Sequence, residues 1–176
     1  MESVSPVRNF NAGEWRVEKK KSRSIMKTMF EVKKNRSCGS HIHVAPWRDK
    51  FTLKQAKTIA FACCYYDPYI ISFMPEERRD HRYCQRNSKV SPKMSLPFEN
   101  GDMAAIAKDT RKLSSTESLI DYMQGESTES RYFLWNFQPL ANPRTGTIEF
   151  RGGRHARAKQ DHQLDNISWL SSSCWL

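Results

Sequence analysis

The chain has 176 residues, enough for one domain with a real hydrophobic core, and no apolar run approaches the roughly 18 to 20 residues of a membrane span. The net charge of +10 favours a polyanionic partner such as nucleic acid, an acidic membrane surface or a nucleotide. The N-terminus lacks a basic segment followed by an apolar one, so we expect a soluble, cytoplasmic protein. The five cysteines are odd in number, which predicts reduced and mostly buried thiols.

The predicted elements are helices interrupted by isolated strands. A weak strand over 1–7 precedes a helix over 15–32, whose apolar residues recur every three or four positions. A strand over 40–45 follows Gly39 and ends at Pro46. The remaining elements are a helix capped by Thr52 and Gln55 and ended by Asp67 and Pro68, a short helix over 69–73, an irregular basic segment up to 86, a loop over 89–99, helices over 102–113 and 114–123, and a hairpin of strands 131–140 and 147–151. Without strict βαβ alternation, this order indicates an α+β fold.

The strand "SHIHVA" carries two histidines on one face. Because residues two apart in a strand share a face, His41 and His43 point the same way. Ile42 and Val44 alternate with them and are expected to point into the other layer of the fold. This strand is therefore amphipathic, with its chemistry on the polar side.

The strand "TIEFR" has the same alternation. Thr147, Glu149 and Arg151 share one face, and Ile148 and Phe150 share the opposite face. A carboxylate followed two residues later by an arginine is an unusual polar face unless something charged lies above it. A metal-bound phosphate supplies both signs, since Mg²⁺ prefers a few carboxylates plus phosphate oxygens and arginine matches phosphate.

Each motif also has a simpler interpretation. A His-x-His pair on a strand is often solvent-facing or hydrogen-bonded, and it also resembles the cupin metal site, although the acidic residue here, Asp49, follows a proline and a tryptophan. A Glu-x-Arg pair alone is typical of a cross-strand ion pair. The basic runs 16–24 and 78–86 are typical of solvated surface, with a phosphate or nucleic-acid contact as the alternative.

Taken together and in order, the motifs are more specific. The segments "MESVSP" and "NRSCGSHIHV", a helix with "PEERR" beyond it, "RYFLWNFQPL" and "TGTIEFRGG" resemble the amidoligase family, a group of carboxylate-amine ligases with a glutamine-synthetase-like fold. The resemblance spans nearly all of the chain. It implies that 1–176 is a single, incomplete domain of that fold, with a mainly antiparallel sheet and helices packed on one face.

The resemblance also implies a role for individual residues. His41, Glu149 and Glu2 match ligands of the catalytic cations, and Arg151 matches the arginine that contacts the terminal phosphate of the nucleotide or the acyl phosphate. His43 and Asn136 are implied to face the same site. Arg154, in the following "GGRHARA", either extends the phosphate contact or belongs to a basic loop.

The implied activity is ATP-dependent amide bond formation through an acyl phosphate. It requires ATP and Mg²⁺ or Mn²⁺, and it joins a small-molecule carboxylate to an amine, an amino acid or peptide being expected. The family places a strand with paired glutamates upstream and further structure downstream, so the resemblance implies truncation at both ends. A noncatalytic remnant that binds nucleotide or a partner is therefore the alternative. A basic nucleic-acid-binding module, for which the chain carries no fold signature, and a cupin-like metal enzyme are the further alternatives.

Overall fold

The computed structural model describes residues 7, 14–30, 39–47, 49–79, 81–125 and 132–153. The chain divides into two compact units, Met1–Asn35 and Arg36–Leu176. The first unit contains helix α1 (Glu14–Met29), close to the predicted helix over 15–32. Ile25 is 56 % exposed and Met29 is 67 % exposed, so these two of the apolar residues that predicted the helix are not buried.

The second unit contains a small antiparallel sheet. Its strands are β1 (Ser40–Val44), β2 (Trp135–Asn136) and β3 (Ile148–Gly153), in the order β1-β3-β2. Helices beside an antiparallel sheet confirm the predicted α+β class. The predicted pairing of the last two strands is also confirmed, but β2 is far shorter than the predicted strand over 131–140, because the chain enters a 3-10 helix at Gln138–Ala141.

Seven helices of the second unit lie in the described residues: α2 (Leu53–Tyr65), α3 (Asp67–Phe73), α4 (Glu76–Arg79), α5 (Asn87–Val90), α6 (Ser95–Glu99), α7 (Met103–Lys112) and α8 (Thr116–Gln124). The predicted capping box of Thr52 and Gln55 begins α2. The predicted loop over 89–99 is wrong in part, because Pro97 lies in the first turn of α6, where a missing N–H costs no hydrogen bond. Pro68 likewise begins α3.

The helices cover one face of the central strand. Ile148 packs with buried residues of α2, α7 and α8, and Phe150, two residues on, packs with Ile70, Met74 and other residues of a second cluster. Ile42 and Val44 on β1 were expected to join this layer, but they are 42 % and 48 % exposed. They lie on the edge strand, beyond the part of the sheet that these two clusters cover. Glu149 and Arg151 lie on the opposite face of β3.

The described cysteines are buried thiols that form no disulfide, as predicted: Cys63, Cys64 and Cys84. Burial raises the pKa of Cys64 to about 12. These thiols pack as small hydrophobic groups. No described helix is long and apolar enough to cross a membrane.

Candidate active site

Three strands bring the predicted polar residues to one carboxylate. Glu149 lies on the central strand β3, opposite His43 of β1 on one side and Asn136 of β2 on the other. Directly opposite residues on an antiparallel sheet have their side chains on the same face. The register of the sheet therefore converts two separate sequence motifs and one isolated asparagine into a single cluster.

Both oxygens of Glu149 accept hydrogen bonds. Its Oε1 lies 3.1 Å from His41 Nδ1, and its Oε2 accepts from Asn136 Nδ2 at 2.7 Å. Arg151 donates from one terminal nitrogen to Oε1 at 3.0 Å and to Oε2 at 3.2 Å. The residue is only 5 % exposed, so this carboxylate is buried and fully engaged.

The surroundings keep Glu149 ionised. Burial by itself raises the pKa of this carboxyl, but hydrogen bonds from His41 and Asn136 and the charge of Arg151 outweigh it and lower the pKa to about 2. Donors and positive charge favour the charged form of a carboxylate, which is why the net shift is downward. The site therefore holds a permanent negative charge at neutral pH.

A buried glutamine fixes the direction of the asparagine amide. Asn136 Oδ1 accepts from Gln124 Nε2 at 3.1 Å and from the backbone N–H of Gln138 at 3.0 Å. Gln124 is oriented in turn, because its Oε1 accepts from the backbone N–H of Phe137. With its oxygen committed to two donors, Asn136 turns its NH₂ group to Glu149.

Changing Gln124 to glutamate is expected to raise the pKa of Glu149 from about 2 towards its ordinary value. A carboxylate at position 124 cannot donate to Asn136 Oδ1, so the asparagine amide turns over and presents its oxygen to Glu149. The measurement is a carbon-13 NMR titration of the Glu149 carboxyl. Gln124→Met removes the donor without adding charge and should give a smaller rise in the same direction. A pKa that stays near 2 in both variants would contradict the relay.

The arginine of the Glu-x-Arg motif is held from three sides. Besides its bonds to Glu149, its Nε donates to the Tyr83 carbonyl at 3.3 Å, and its main-chain N–H donates to the Leu134 carbonyl at 2.9 Å. Its main-chain carbonyl accepts from Arg78 at 2.7 Å. The guanidinium of Arg151 is thereby fixed in one orientation at the edge of the site.

The family model described as "Putative amidoligase enzyme" matches residues 1–163 of the chain. The chain belongs to the amidoligase family. The match confirms the family that the ordered motifs resemble, and the matched residues include both polar strands, β1 and β3. No curated protein and no solved structure matches the chain.

Five of the predicted site residues of this amidoligase-family chain come together. The cluster consists of His41, His43, Asn136, Glu149 and Arg151. The predicted residues Glu2 and Arg154 lie outside the described residues.

His43 is the most open member of the cluster. Its side chain is 51 % exposed, its Nε2 lies 3.8 Å from Glu149 Oε1, and its Nδ1 is 3.0 Å from Thr147 Oγ1. The His41 side chain is less open, at 28 %. The bond to Thr147 fixes the ring of His43 while one nitrogen still faces the site, so this residue is the best placed to meet a ligand.

Sequence reasoning missed two polar residues of the network. Gln124 is 1 % exposed and belongs to no recognisable motif. Arg78 is 2 % exposed and lies in the segment "PEERR", but it was not singled out as a site residue. Two features of the sequence could have pointed to Gln124. It lies four residues after Ile120, on a helix face that is otherwise apolar, and it directly precedes Gly125, whose φ of +69° ends α8. No sequence signal separates Arg78 from the neighbouring basic residues.

The cluster around Glu149 contains few side chains of the kinds that bind metal ions. Within the described part of the chain, no group of three or more His, Cys, Asp or Glu side chains is arranged to hold a metal ion. His41 and Glu149 supply one nitrogen and one carboxylate close together. This pair fits a magnesium ion that is held mainly by substrate phosphates, since such ions use one or two protein carboxylates. It does not make a metal cage of its own.

The second basic run is only partly the solvated surface that its composition indicates, since Arg79 and Arg82 are exposed but two other arginines are not. Arg78 is buried, and the Arg86 side chain, 15 % exposed, forms an ion pair with the buried carboxylate of Asp67. Ser88 donates to the same carboxylate at 2.9 Å. Two of the arginines that suggested a nucleic-acid contact are therefore used inside the fold.

Proposed function

We propose that this protein is an ATP-dependent carboxylate-amine ligase that forms an amide through an acyl phosphate. Family membership supports an amidoligase activity in general. The observation that carries the specific proposal is the convergence of His41, Asn136 and Arg151 on the buried carboxylate of Glu149. A fixed anion and a fixed guanidinium side by side match a substrate that carries both a cation and phosphates.

In the proposed reaction, a carboxylate oxygen of the acid attacks the γ-phosphorus of ATP and ADP leaves. The amine nitrogen then attacks the acyl carbon, the bond to phosphate breaks, and inorganic phosphate leaves as the amine loses a proton. No covalent bond to the protein is needed. The protein's part is positioning and charge stabilisation, which account for most of the catalysis in phosphoryl transfer.

Arg151 is the proposed contact for the transferring phosphoryl group. Its bonds to Glu149 and to the Tyr83 carbonyl hold the guanidinium still, so little orientation has to be gained when phosphate binds. The side chain is 13 % exposed, which leaves one edge of the site open to a ligand.

His41 and Glu149 are the proposed protein ligands for Mg²⁺ or Mn²⁺ carried by ATP. The bound cation supplies neutralisation of the phosphate charge. The low pKa of Glu149, about 2, keeps the ligand deprotonated at any physiological pH. Glu2 and Arg154 remain proposed contributors, to the cation and to phosphate respectively.

The proposed substrates are a small-molecule carboxylate, an amino acid or peptide, and an amine. His43, the most exposed side chain of the cluster, and Asn136 are the proposed substrate contacts. We also propose a glutamine-synthetase-like arrangement, in which polar residues on one face of an antiparallel sheet contact the nucleotide and helices pack against the opposite face.

Arg151→Lys is expected to lower substrate-dependent ADP release by at least about 100-fold, because a lysine cannot reproduce the guanidinium's fixed hydrogen bonds. The assay measures ADP from Mg-ATP with panels of amino acids and amines. Arg144→Lys, in an exposed turn, is the matched control and should keep full activity. Absence of turnover with every acid and amine, by a folded protein that includes any upstream segment of its gene, would sink the ligase proposal.

A second candidate is a nucleotide-binding protein without turnover. It is favoured by the engagement of both Glu149 oxygens with N–H donors and by the absence, among described residues, of a three-ligand metal group. Titrating Mg-ATP calorimetrically into the protein and into Glu149→Gln distinguishes the candidates when combined with the ADP assay. Binding that requires Glu149 but gives no turnover favours the second candidate.

A further inference from the structure

Arg78 is a buried cation that has no anionic partner among the residues that the structure describes. It lies in α4 and is 2 % exposed, and one terminal nitrogen donates to the Arg151 carbonyl at 2.7 Å. Its Nε and its other terminal nitrogen are buried and have no hydrogen-bond partner. No carboxylate of the described residues forms an ion pair with it.

The one side-chain hydrogen bond of Arg78 explains its position in the fold. The Leu134 carbonyl accepts from the Arg151 N–H. In a regular antiparallel ladder the Leu134 N–H would donate to the Arg151 carbonyl, but here it donates to the Gln85 carbonyl at 2.6 Å. The Arg151 carbonyl is thus left without a sheet partner at the point where β2 leaves β3, and Arg78 supplies the missing donor. A neutral donor would serve equally, so this bond does not explain the charge.

The guanidinium lies directly against the backbone that leads into β1. A Cβ atom at Gly39 would lie 2.7 Å from a terminal nitrogen of Arg78 and 2.9 Å from its Cζ, closer than real contacts allow. Gly39 therefore permits a close approach that any other residue would block. Since Gly39 begins the "GSHIH" segment, this approach ties Arg78 to the same edge of the sheet as His41.

The charges at this edge do not balance. Arg78 donates to the main-chain carbonyl of Arg151, and the buried carboxylate of the cluster, Glu149, is already paired with the guanidinium of Arg151. Burying an ion without a counter-charge is strongly unfavourable. An ordered water would satisfy the free N–H groups but would leave that charge uncompensated.

We infer that Arg78 is the protein contact for an oxyanion, a phosphate or carboxylate group that accepts from its Nε and its free terminal nitrogen. The oxyanion supplies the missing negative charge and completes the hydrogen bonds of the guanidinium. The binding of this oxyanion to Arg78 does not depend on catalytic turnover. Only the further step, which equates the oxyanion with a phosphate or carboxylate group of the ligase substrates, rests on the proposed function.

The test compares the melting temperature of the full chain in sodium phosphate, pyrophosphate, acetate and glutamate with that in sodium chloride at equal ionic strength. The wild-type melting temperature should rise with the preferred anion, as binding to the folded state requires. Arg78→Met should lose that response and should melt in chloride no lower than wild type, since it removes an uncompensated charge. Arg111→Met, on an exposed helix position, is the matched control and should respond like wild type.

The anion series distinguishes the two sources of an oxyanion. A response to phosphate and pyrophosphate alone identifies a phosphoryl group, and a response to acetate and glutamate identifies an acid. If Arg78→Met does not fold, Arg78→Lys takes its place, and calorimetry should give a Kd for the anion at least tenfold weaker than wild type. An unchanged response in the Arg78 variant, or no response in wild type, would overturn the inference whether or not the protein is a ligase.

Discussion

Glu149→Gln is expected to lower the free energy of unfolding at pH 7 by about 3 kcal/mol. The carboxylate is 5 % exposed and accepts from His41, Asn136 and Arg151. A glutamine keeps one acceptor oxygen but places an NH₂ group against donors, and it leaves the Arg151 guanidinium buried without its counter-charge. Removing one partner of a buried ion pair costs roughly 3 to 5 kcal/mol.

The pH dependence gives an independent value for the same interaction. The folded pKa of Glu149 is about 2, below the ordinary 4.5, so its contribution is fully present above about pH 4.5 and is lost as the pH falls towards 2. At about 1.4 kcal/mol per pKa unit, the difference corresponds to about 3 kcal/mol. The stability gap between wild type and Glu149→Gln should therefore shrink as the pH is lowered from 4.5 to 2.

Urea denaturation at a series of pH values measures this gap directly. Glu99→Gln makes the same chemical change at an exposed position and should shift stability by less than about 0.5 kcal/mol at every pH. A gap for Glu149→Gln that stays constant down to pH 2 would mean that its carboxylate is not the group stabilised by the cluster.

The periodicity of two residues was enough to predict the chemical face of the sheet. It placed His41 with His43 and Glu149 with Arg151, and the pairing of β1 with β3 then brought the two motifs together. The family resemblance added Asn136, which no periodicity distinguishes from other strand asparagines. These residues were predictable because they follow from local geometry or from a motif.

The supporting residues were not predictable for a physical reason. Gln124 acts through an amide on another element, and Tyr83 acts through its main-chain carbonyl, which carries no residue-specific signal. Arg78 sits in a basic run whose composition indicates solvent, and only the departure of Leu134 from the sheet ladder gives it a buried acceptor. Tertiary contacts decide all three.

The same limit explains the error in the aromatic strand. The segment around Trp135 has strong strand propensity, so 131–140 was predicted as one strand. Only Trp135–Asn136 pairs with β3, because the chain enters a 3-10 helix with Pro139 near its start. This early ending also places Phe137 and Gln138 where their N–H groups orient the two amides beside Glu149.

Arg151→Met is expected to cost about 3 to 5 kcal/mol alone, because it leaves Glu149 buried beside only neutral donors and the histidines. The double variant with Glu149→Gln should cost less than the sum of the two single changes by about 2 kcal/mol, since it removes both buried charges together. Denaturation of the four proteins in this double-mutant cycle measures the coupling.

The exposed pair of Lys93 and Asp121 provides the matched cycle, using Lys93→Met and Asp121→Asn. Its side chains are 54 % and 30 % exposed, so its coupling should stay below about 1 kcal/mol. Additive losses at positions 149 and 151 would mean that the two residues are stabilised by other groups. The predicted coupling separates folding from chemistry, because the double variant loses less stability than the two single changes added together while lacking both the anion and the guanidinium that the proposed reaction requires.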